Sequence, residues 1–521
     1  MKPYILICDD LRESYLTLME QIRDYQEGRL LSEFEFLHFR HGKELIDWYR
    51  KNRGKFVSLV VQDIDFTHLQ DEELLTPEEW GMEFVAPYDV KALQGFIIFS
   101  ALRKIDKIVP VLFLSLRVGI ASLKKFANLL VGPGYGRATF VPMSAVGENF
   151  YPSVVRKIDF FALRPVGEEK KKNWEEEFNF VIGESRLMSY VVGEIEKIAP
   201  SDATVMLLGE PGVGKELVAR IIHRLSLRFE KEKAEKREPL TVNIAALDYN
   251  LIEDELFGHE RGAFTGAVLP REGIFESANT STVFLDEIGE LSSEIQIKLL
   301  RALEYKRIKR LGASWEREID IRIIAATNQP LEKLSQTLRP DFYSRLFQHC
   351  LLVPSLKERW GNEAPTVVEK DLDRFSHFFI RRIATALPGK KLIPLSPSGH
   401  SFLFTLINDY LKGENSLFEG NVRTLRNILE RAYERALAEN AQEIDIDHLI
   451  PTLGMMRFLQ KREEGKEEEI EKSFATLNLQ IIEKKAIKEA LAKTNGQISR
   501  AAELLGIHRE TLRKKIIEYN L

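Results

Sequence analysis

Residues 204–216 read Thr-Val-Met-Leu-Leu-Gly-Glu-Pro-Gly-Val-Gly-Lys-Glu, followed by the helical pattern Leu217-Val-Ala-Arg-Ile-Ile-His-Arg-Leu-Ser226. The apolar run suits a buried strand, so the order is strand, glycine loop, helix, which is the context a P-loop needs. Glycine lets backbone N–H groups curl around phosphates, and a helix N-terminus favours negative charge. Gly209, Glu210, Pro211, Gly212, Val213 and Gly214 then form the cradle, and Lys215 reaches the β- and γ-phosphates. The general pattern places Ser or Thr after the lysine to hold Mg²⁺, whereas position 216 is Glu. By this motif alone, a glycine-rich turn that binds nothing stays open.

Two further strands strengthen the nucleotide reading. Thr282-Val-Phe-Leu285 is a buried run ending in Asp286-Glu287. Beside a P-loop such a pair divides its labour: Asp286 helps hold Mg²⁺, while Glu287 orients and polarises the attacking water. Ile321-Arg-Ile-Ile-Ala-Ala-Thr-Asn328 ends in Thr327 and Asn328, which suit sensing of the γ-phosphate. Strands alternating with helices predict a parallel sheet with its ligand at the carboxyl ends.

The chain around this block has 521 residues, 44% hydrophobic and 29% charged, a composition of soluble globular domains with true cores. Net charge is −5, so any surface for nucleic acid has to be local. Cys8 and Cys350 allow no disulfide framework, and no Cys/His cluster suggests zinc. The N-terminus lacks the apolar run of a signal peptide, and no stretch nears the roughly 18 residues of a membrane helix, so a cytoplasmic protein without membrane contact is expected. Charged stretches at 163–178 and 461–472 read as linkers, and 230–239 as a solvated loop.

From Glu483 to Leu521 there are nine Lys or Arg against five Glu. Asn495 to Lys515 reads as helix, Gly506 turn, helix, with Ala501, Ala502, Leu504, Leu505, Ile507, Leu512 and Ile516 packing inward. Arg509, Thr511, Arg513 and Lys514 face outward from the second helix, where they can meet the major groove of double-stranded DNA. The plainer alternative is a helical hairpin with solvated charges. At the other end, Tyr4-Ile-Leu-Ile-Cys-Asp9-Asp10, Ser58-Leu-Val-Val-Gln-Asp63 and Val109-Pro-Val-Leu-Phe-Leu-Ser115 are three apolar runs, each closing on acids or a hydroxyl. Clustered carboxylates suit Mg²⁺, although any one acid could simply cap a strand.

Glu255-Leu-Phe-Gly-His-Glu-Arg-Gly-Ala-Phe-Thr-Gly-Ala267 resembles the signature of NtrC-type bacterial enhancer-binding proteins, AAA+ ATPases that activate sigma-54 RNA polymerase. The resemblance extends over Val181-Ile-Gly-Glu-Ser185, the P-loop with its Glu216, Asp286-Glu287 and Gly420-Asn-Val-Arg423. It implies a homo-oligomeric ring, usually hexameric, with ATP between subunits. Arg339 and Arg345 match fingers reaching a neighbour's nucleotide; their plainer reading is surface pairing with Asp341. Asn243 matches the switch asparagine that holds Glu287, and Arg423 the second sensor. Gly262, Ala263, Phe264, Thr265, Gly266 and Ala267 match the loop that touches sigma-54, with Phe264 packing on its own domain as the alternative. The usual Trp-Pro before Gly420 is replaced by Phe418-Glu419.

The C-terminal block resembles the family's Fis-like helix-turn-helix, and residues 477–492 are expected to dimerise it on a palindromic upstream site. The N-terminal block resembles a two-component receiver, with Asp9 and Asp10 for Mg²⁺, Asp63 as phosphoacceptor and Ser115 as the following hydroxyl. Two features depart from that family. Val141-Pro142 stands where the phosphate-pairing Lys-Pro belongs, and about two dozen inserted residues, with Pro77, Trp80 and Pro87, separate Asp63 from Gly95. Phosphorylation by a sensor kinase and control through another ligand both stay open.

The expectation is therefore an α/β multidomain chain: 1–162 a doubly wound receiver-like domain; 163–178 a linker; 179–355 an AAA+ α/β subdomain; 356–455 its helical lid; 456–472 a linker; 473–521 an all-α helix-turn-helix. The expected function is ATP-driven remodelling of sigma-54 polymerase from upstream DNA, with ATP and Mg²⁺ as cofactors. The alternatives are a DNA-binding regulator or an AAA+ remodeller that does not act on sigma-54.

Overall fold

A computed structural model of the chain describes residues 2–52, 54–64, 66–76, 91, 94–106, 109–115, 138–142, 149–231, 238–361, 363–386, 391–463, 487, 490–491, 494, 497–505 and 509–519. They fall into two compact units, Met1–Asp371 and Leu372–Leu521.

The first unit holds two five-stranded parallel sheets. In the N-terminal α/β domain, β1 (Tyr4–Cys8), β2 (Glu35–Phe39), β3 (Val57–Asp63), β4 (Val111–Ser115) and β5 (Ala138–Pro142) take the order β2-β1-β3-β4-β5. Helices α1 (Arg12–Asp24), α2 (Gly42–Lys51), α3 (Gln94–Ile105) and α4 (Phe150–Phe161) cover it. Successive strand residues point to opposite faces, so Tyr4, Leu6 and Cys8 join one core with α2 and α3, while Ile5 and Ile7 join another with α1 and α4. Burial on both faces explains why these strands read as unbroken apolar runs.

The central sheet comprises β6 (Val205–Leu208), β7 (Leu240–Asn243), β10 (Thr282–Asp286), β13 (Arg322–Thr327) and β14 (His349–Leu352), in the order β14-β6-β13-β10-β7. Two small hairpins grow from the chain between its strands: β8 (Gly258–His259) with β9 (Arg271–Glu272), and β11 (Arg307–Ile308) with β12 (Arg317–Glu318). The predicted α/β class with parallel sheets is what forms.

Helix α5 (Glu168–Phe178) occupies most of the charged stretch 163–178. Its buried face is Lys171, Trp174 and Phe178, spaced for one side of a helix. The Trp174 ring centroid lies 5.7 Å from Phe178 and 5.9 Å from Phe180. The Lys171 ammonium reaches Glu168 at 2.8 Å and Glu184 at 2.5 Å. Two aromatics and a lysine stem make too thin a stripe to register as apolar periodicity. Next come α6 (Arg186–Ile198), α7 (Lys215–Arg224), α8 (Ser293–Tyr305) and α9 (Pro340–Leu346).

Helix α10 (Pro365–Ala386) begins in the first unit and ends in the second. The second unit is helical: α11 (Pro397–Lys412), α12 (Asn421–Ala438), α13 (Ile446–Glu463), α14 (Ile498–Leu504) and α15 (Arg509–Tyr519). Helix α13 continues past the expected lid boundary at 455. Ala501, Ala502 and Leu512 are buried with Ile487 and Ala490, and Leu505 and Ile516 pack against them. The insertion carrying Pro77, Trp80 and Pro87, most of the loop at 230–239, most of the dimerisation helix at 477–492 and the Gly506 turn lie outside the described residues.

Trp174→Ala removes the largest side chain that α5 buries, and truncating a buried Trp costs about 3–5 kcal/mol. We expect a clear fall in the thermal midpoint of the full chain. Trp174→Phe, which keeps an aromatic in the gap, should restore much of it.

Candidate functional site

Parallel pairing puts all carboxyl ends of the central sheet on one edge. Leu208 pairs with Thr327, and Asp286 with Asn243, so the glycine loop, the acidic pair, Asn328 and Asn243 gather there. Gly209 sits at φ 157°, and a Cβ on it would stand 2.6 Å from the Val353 carbonyl oxygen, so only glycine fits. Lys215 begins α7 and is buried; its ammonium donates to the carbonyls of Gly209 at 2.7 Å and Glu210 at 3.3 Å. Glu216 accepts from Arg220 at 2.7 Å on the exposed side of the helix.

Glu287 holds a left-handed backbone, φ 56° and ψ 47°. A non-glycine residue pays about 1–3 kcal/mol for such a conformation, and it is found where a site demands it. Its carboxylate accepts the Asn328 N–H at 3.2 Å, and Asp286 accepts the Glu287 N–H at 3.0 Å. Glu287 thus leans toward β13; among the described residues no hydrogen bond joins it to Asn243 across the sheet. Thr327 is buried, its hydroxyl accepting the Gln329 N–H at 3.1 Å.

The residues leading into this domain also build the site, without a motif of their own that assigns them to it. The Phe180 ring comes within 3.7 Å of where a Gly214 Cβ would stand. Gly183, at φ 76°, leaves room for the Asp371 carboxylate, which a Cβ would meet at 2.5 Å. Asp371 accepts the Glu184 N–H at 2.5 Å and the Trp360 indole N–H at 2.9 Å. Arg359 donates to the carbonyls of Val181 at 2.9 Å and Ile182 at 3.1 Å. Burial lowers the Arg359 guanidinium to about 10 and raises the Asp371 carboxyl, each opposed by the other's charge. No local spacing signals such partners, which lie 177 or more residues from Arg359 in sequence.

The finger candidates are surface groups. Arg339 makes a two-pronged pair with Asp341 at 3.0 and 3.2 Å, and Arg345 donates to Glu304 of α8 at 3.0 Å. Among the described residues, no hydrogen bond of Arg339 or Arg345 reaches the sheet edge within one chain. Arg423 is exposed in the first turn of α12, in the second unit.

Residues 262–267 form the tip of the β8–β9 hairpin, closed by Gly262 N–H to Ala267 O at 2.8 Å and Ala267 N–H to Phe264 O at 3.0 Å. Phe264 is 44% exposed and touches His259 edge-on, with centroids 5.0 Å apart. His259 is itself fixed, by Asp254 at 2.6 Å and the Leu269 carbonyl at 2.9 Å. Val268 and Leu269 stand 71% and 74% exposed just beyond, extending the apolar tip, and only their adjacency to the Gly262–Ala267 loop marks them in the sequence. The β11–β12 hairpin lies alongside, joined by Glu260 N–H to Leu311 O and Leu311 N–H to Gly258 O. Arg310 clasps Glu276 at 2.5 and 2.6 Å and reaches Glu260 at 3.4 Å, while Arg317 reaches Glu260 at 3.1 Å. Trp315, on the second hairpin, is 52% exposed.

On α15, Arg509, Thr511, Arg513 and Lys514 are all exposed while Leu512 is buried, the division a groove-reading helix requires.

In the N-terminal domain, Asp9, Asp10 and Asp63 are buried and offer oxygens within 4.8 Å of one another. Asp9 accepts the Leu11 N–H and Asp10 the His68 N–H, leaving Asp10 Oδ1 buried without a hydrogen-bond partner among the described residues. That donor set fits a small hard cation such as Mg²⁺. Desolvation raises the Asp9 carboxyl to about 6, with Asp10 adding repulsion. The cavity bounded by Asp9, Asp63, Ser14, Tyr15, Phe150 and Tyr151 measures about 10 Å³, room for roughly one water or ion. Val141 is buried in the core beneath. Ser115 ends β4.

Comparison with known proteins places these parts in company. The family described as "Sigma-54 interaction domain" matches residues 181–351, and "Bacterial regulatory protein, Fis family" matches 479–519. The transcriptional regulatory protein ZraR of Salmonella typhimurium (strain LT2) is 32% identical over 489 residues, 89% of this chain and 99% of that one. The regulatory protein AtoC of Escherichia coli K12 is 33% identical over 368 residues, covering 69% and 71% of the two chains. The crystal structure of NtrX from Brucella abortus in complex with ADP aligns over both whole chains at 23% identity, with a TM-score of 0.44. No described helix is long and apolar enough to cross a membrane.

The raised Asp9 carboxyl has a signed consequence for stability. Its contribution is fully present below the ordinary value of 3.8 and is lost as pH rises through about 6. In magnesium-free buffer Asp9→Asn should therefore melt above wild type at pH 7, by up to about 3 kcal/mol, and nearly with it at pH 4. Melting curves at the two pH values measure this.

Proposed function

The chain belongs to the family of NtrC-type sigma-54-dependent transcriptional activators, and from that premise we propose that it hydrolyses ATP to remodel sigma-54 RNA polymerase from an upstream DNA site. The observation that carries this reading is the unbroken Gly262–Ala267 loop, closed at a hairpin tip with Phe264 outward. An exposed aromatic is costly without a partner, and here it is joined by Val268 and Leu269 in one apolar tip.

ATP enters along the sheet edge, with residues 209–214 giving backbone N–H groups to its phosphates. Lys215, already buried and pointing at the loop carbonyls, exchanges these for the β- and γ-phosphate oxygens. Glu287 accepts a hydrogen bond from the attacking water and so orients and polarises it. Asn328 and Arg423 report on the γ-phosphate. Asp286 would hold Mg²⁺, which supplies neutralisation of phosphate charge. Arg339 and Arg345 release their exposed carboxylate partners to reach the nucleotide of a neighbouring copy of the chain in a hexameric ring. Exposed pairs cost little to break, which suits groups that must change partner. Asn243, across the strand from Asp286, takes Glu287 when nucleotide state changes.

Arg509, Thr511, Arg513 and Lys514 meet a palindromic duplex, consistent with a cytoplasmic regulator. For the N-terminal domain, Val141, buried where the phosphate-pairing lysine belongs, favours control through a bound cation or another ligand over phosphorylation of Asp63 by a sensor kinase.

Two experiments test the reading. Glu287→Gln should bind ATP with near-wild-type affinity yet turn over about 10²–10⁴-fold more slowly, the scale of a lost general base; wild-type turnover would remove Glu287 from the chemistry. Thr265→Ala should keep ATPase activity and DNA binding within about twofold while abolishing open-complex formation on a sigma-54 promoter. Full transcription by that variant would exclude this loop as the point of contact.

A further inference from the structure

Gln329 stands at the polar edge of the central sheet but is not among the groups assigned to ATP. It follows Asn328 and precedes Pro330, and a residue before proline is held in extended backbone. Its N–H donates to the buried Thr327 hydroxyl at 3.1 Å. Its side chain crosses to the turn after β10, where the carboxamide nitrogen donates to Glu290 at 2.7 Å. A Cβ at Gly289 would stand 2.8 Å from the carboxamide carbon and from Oε1, so the amide lies in the space that a side chain at 289 would take. Oε1 is buried there with no hydrogen-bond partner among the described residues. An acceptor left buried and unpaired is unfavourable, so the bond to Glu290 holds the amide in a place its oxygen would otherwise leave.

The turn itself is short: a single 3₁₀ turn, Ile288–Glu290, entered through the left-handed Glu287. The Glu290 N–H donates to the Glu287 carbonyl at 3.1 Å, and the Glu287 carboxylate accepts the Asn328 N–H at 3.2 Å. With the Asn328–Gln329 peptide and the Gln329–Glu290 bond, these contacts close a ring that has Glu287 at one corner. A turn tied to β13 through Glu287 alone could pivot about that contact and let the carboxylate swing toward Asn243 on β7, the strand on the other side of β10. A second tie, from Gln329 to the far end of the turn, removes the pivot.

We propose that Gln329 is a positioning residue for ATP hydrolysis: by holding Glu290 it keeps the 287–290 turn against β13, and so keeps the Glu287 carboxylate where it orients the attacking water. The inference rests on the ATPase reading above. Gln329 acts through Glu287 and not on the phosphates, which the glycine loop and Lys215 bind. A carboxylate that wanders from its alignment with the water loses rate without loss of nucleotide affinity.

The test uses the full chain with Gln329→Met, which keeps the length of the side chain and removes the amide. kcat for ATP should fall about fivefold or more while KM stays within about twofold. Placed on Glu287→Gln, the same change should slow turnover no further, because the group it positions is already gone. Glu290→Ala removes the acceptor by altering an exposed side chain; it should lower kcat by a similar factor, and it decides the matter if Gln329→Met does not fold. Wild-type kcat in these variants, a raised KM in place of a lowered kcat, or a full additive loss on Glu287→Gln overturns the role. If the wild type itself hydrolyses no ATP, it is the ATPase reading that fails, and backbone amide exchange over 288–290 then judges the tie. Exchange about tenfold faster in Gln329→Met supports it, and unchanged exchange overturns it.

Discussion

The parallel register of β10 between β13 and β7 is the constraint on which the central domain depends. Because Asp286 pairs with Asn243, and Leu285 with Ala325, the strands end level with one another. In the turn after β10, Glu287 adopts a left-handed backbone and its carboxylate meets the Asn328 N–H next door. The local strain is held by the strands, whose residues alternate between two cores, Phe284 and Ile324 in one and Val283 and Ile323 in the other. A one-residue slip would exchange those faces and scatter the polar edge.

What could be read from sequence follows from this. Glycine spacing, apolar runs and acids at strand ends are local signals, and they mark the loop at 209–214, the Asp286-Glu287 pair and the three buried acids of the N-terminal domain. Partnerships that depend on distant parts of the chain left no such trace. Arg359 beneath Val181, Asp371 beside Gly183 and Asp106 against Arg186 are joined only by tertiary folding. The helix at 168–178 was hidden for another reason: its buried face is carried by two aromatics and the stem of Lys171 in an otherwise charged run.

Charge is used in two ways in the molecule. On the surface, Arg339 and Arg345 hold carboxylates that water could replace at little cost. Inside, Arg310 and Arg186 hold theirs with side chains only 7% exposed, where losing one partner strands the other in a poorly solvating place. The first arrangement suits exchange of partners, the second suits rigid joints. Arg310 and Arg317, by sharing Glu260 and Glu276, tie the two hairpins together.

Helix α5 adds a consequence of angular phase. It joins the N-terminal domain to α6, and its buried face spans just Lys171, Trp174 and Phe178. Each residue added to an α-helix turns everything beyond it by about 100°. One inserted alanine before Lys171 would swing both aromatics out of their pocket relative to the chain upstream, whereas four would bring them nearly back into line. The spacer between the two sheets is therefore a rotational index as well as a tether, and its length is under a periodic constraint that its charged composition conceals.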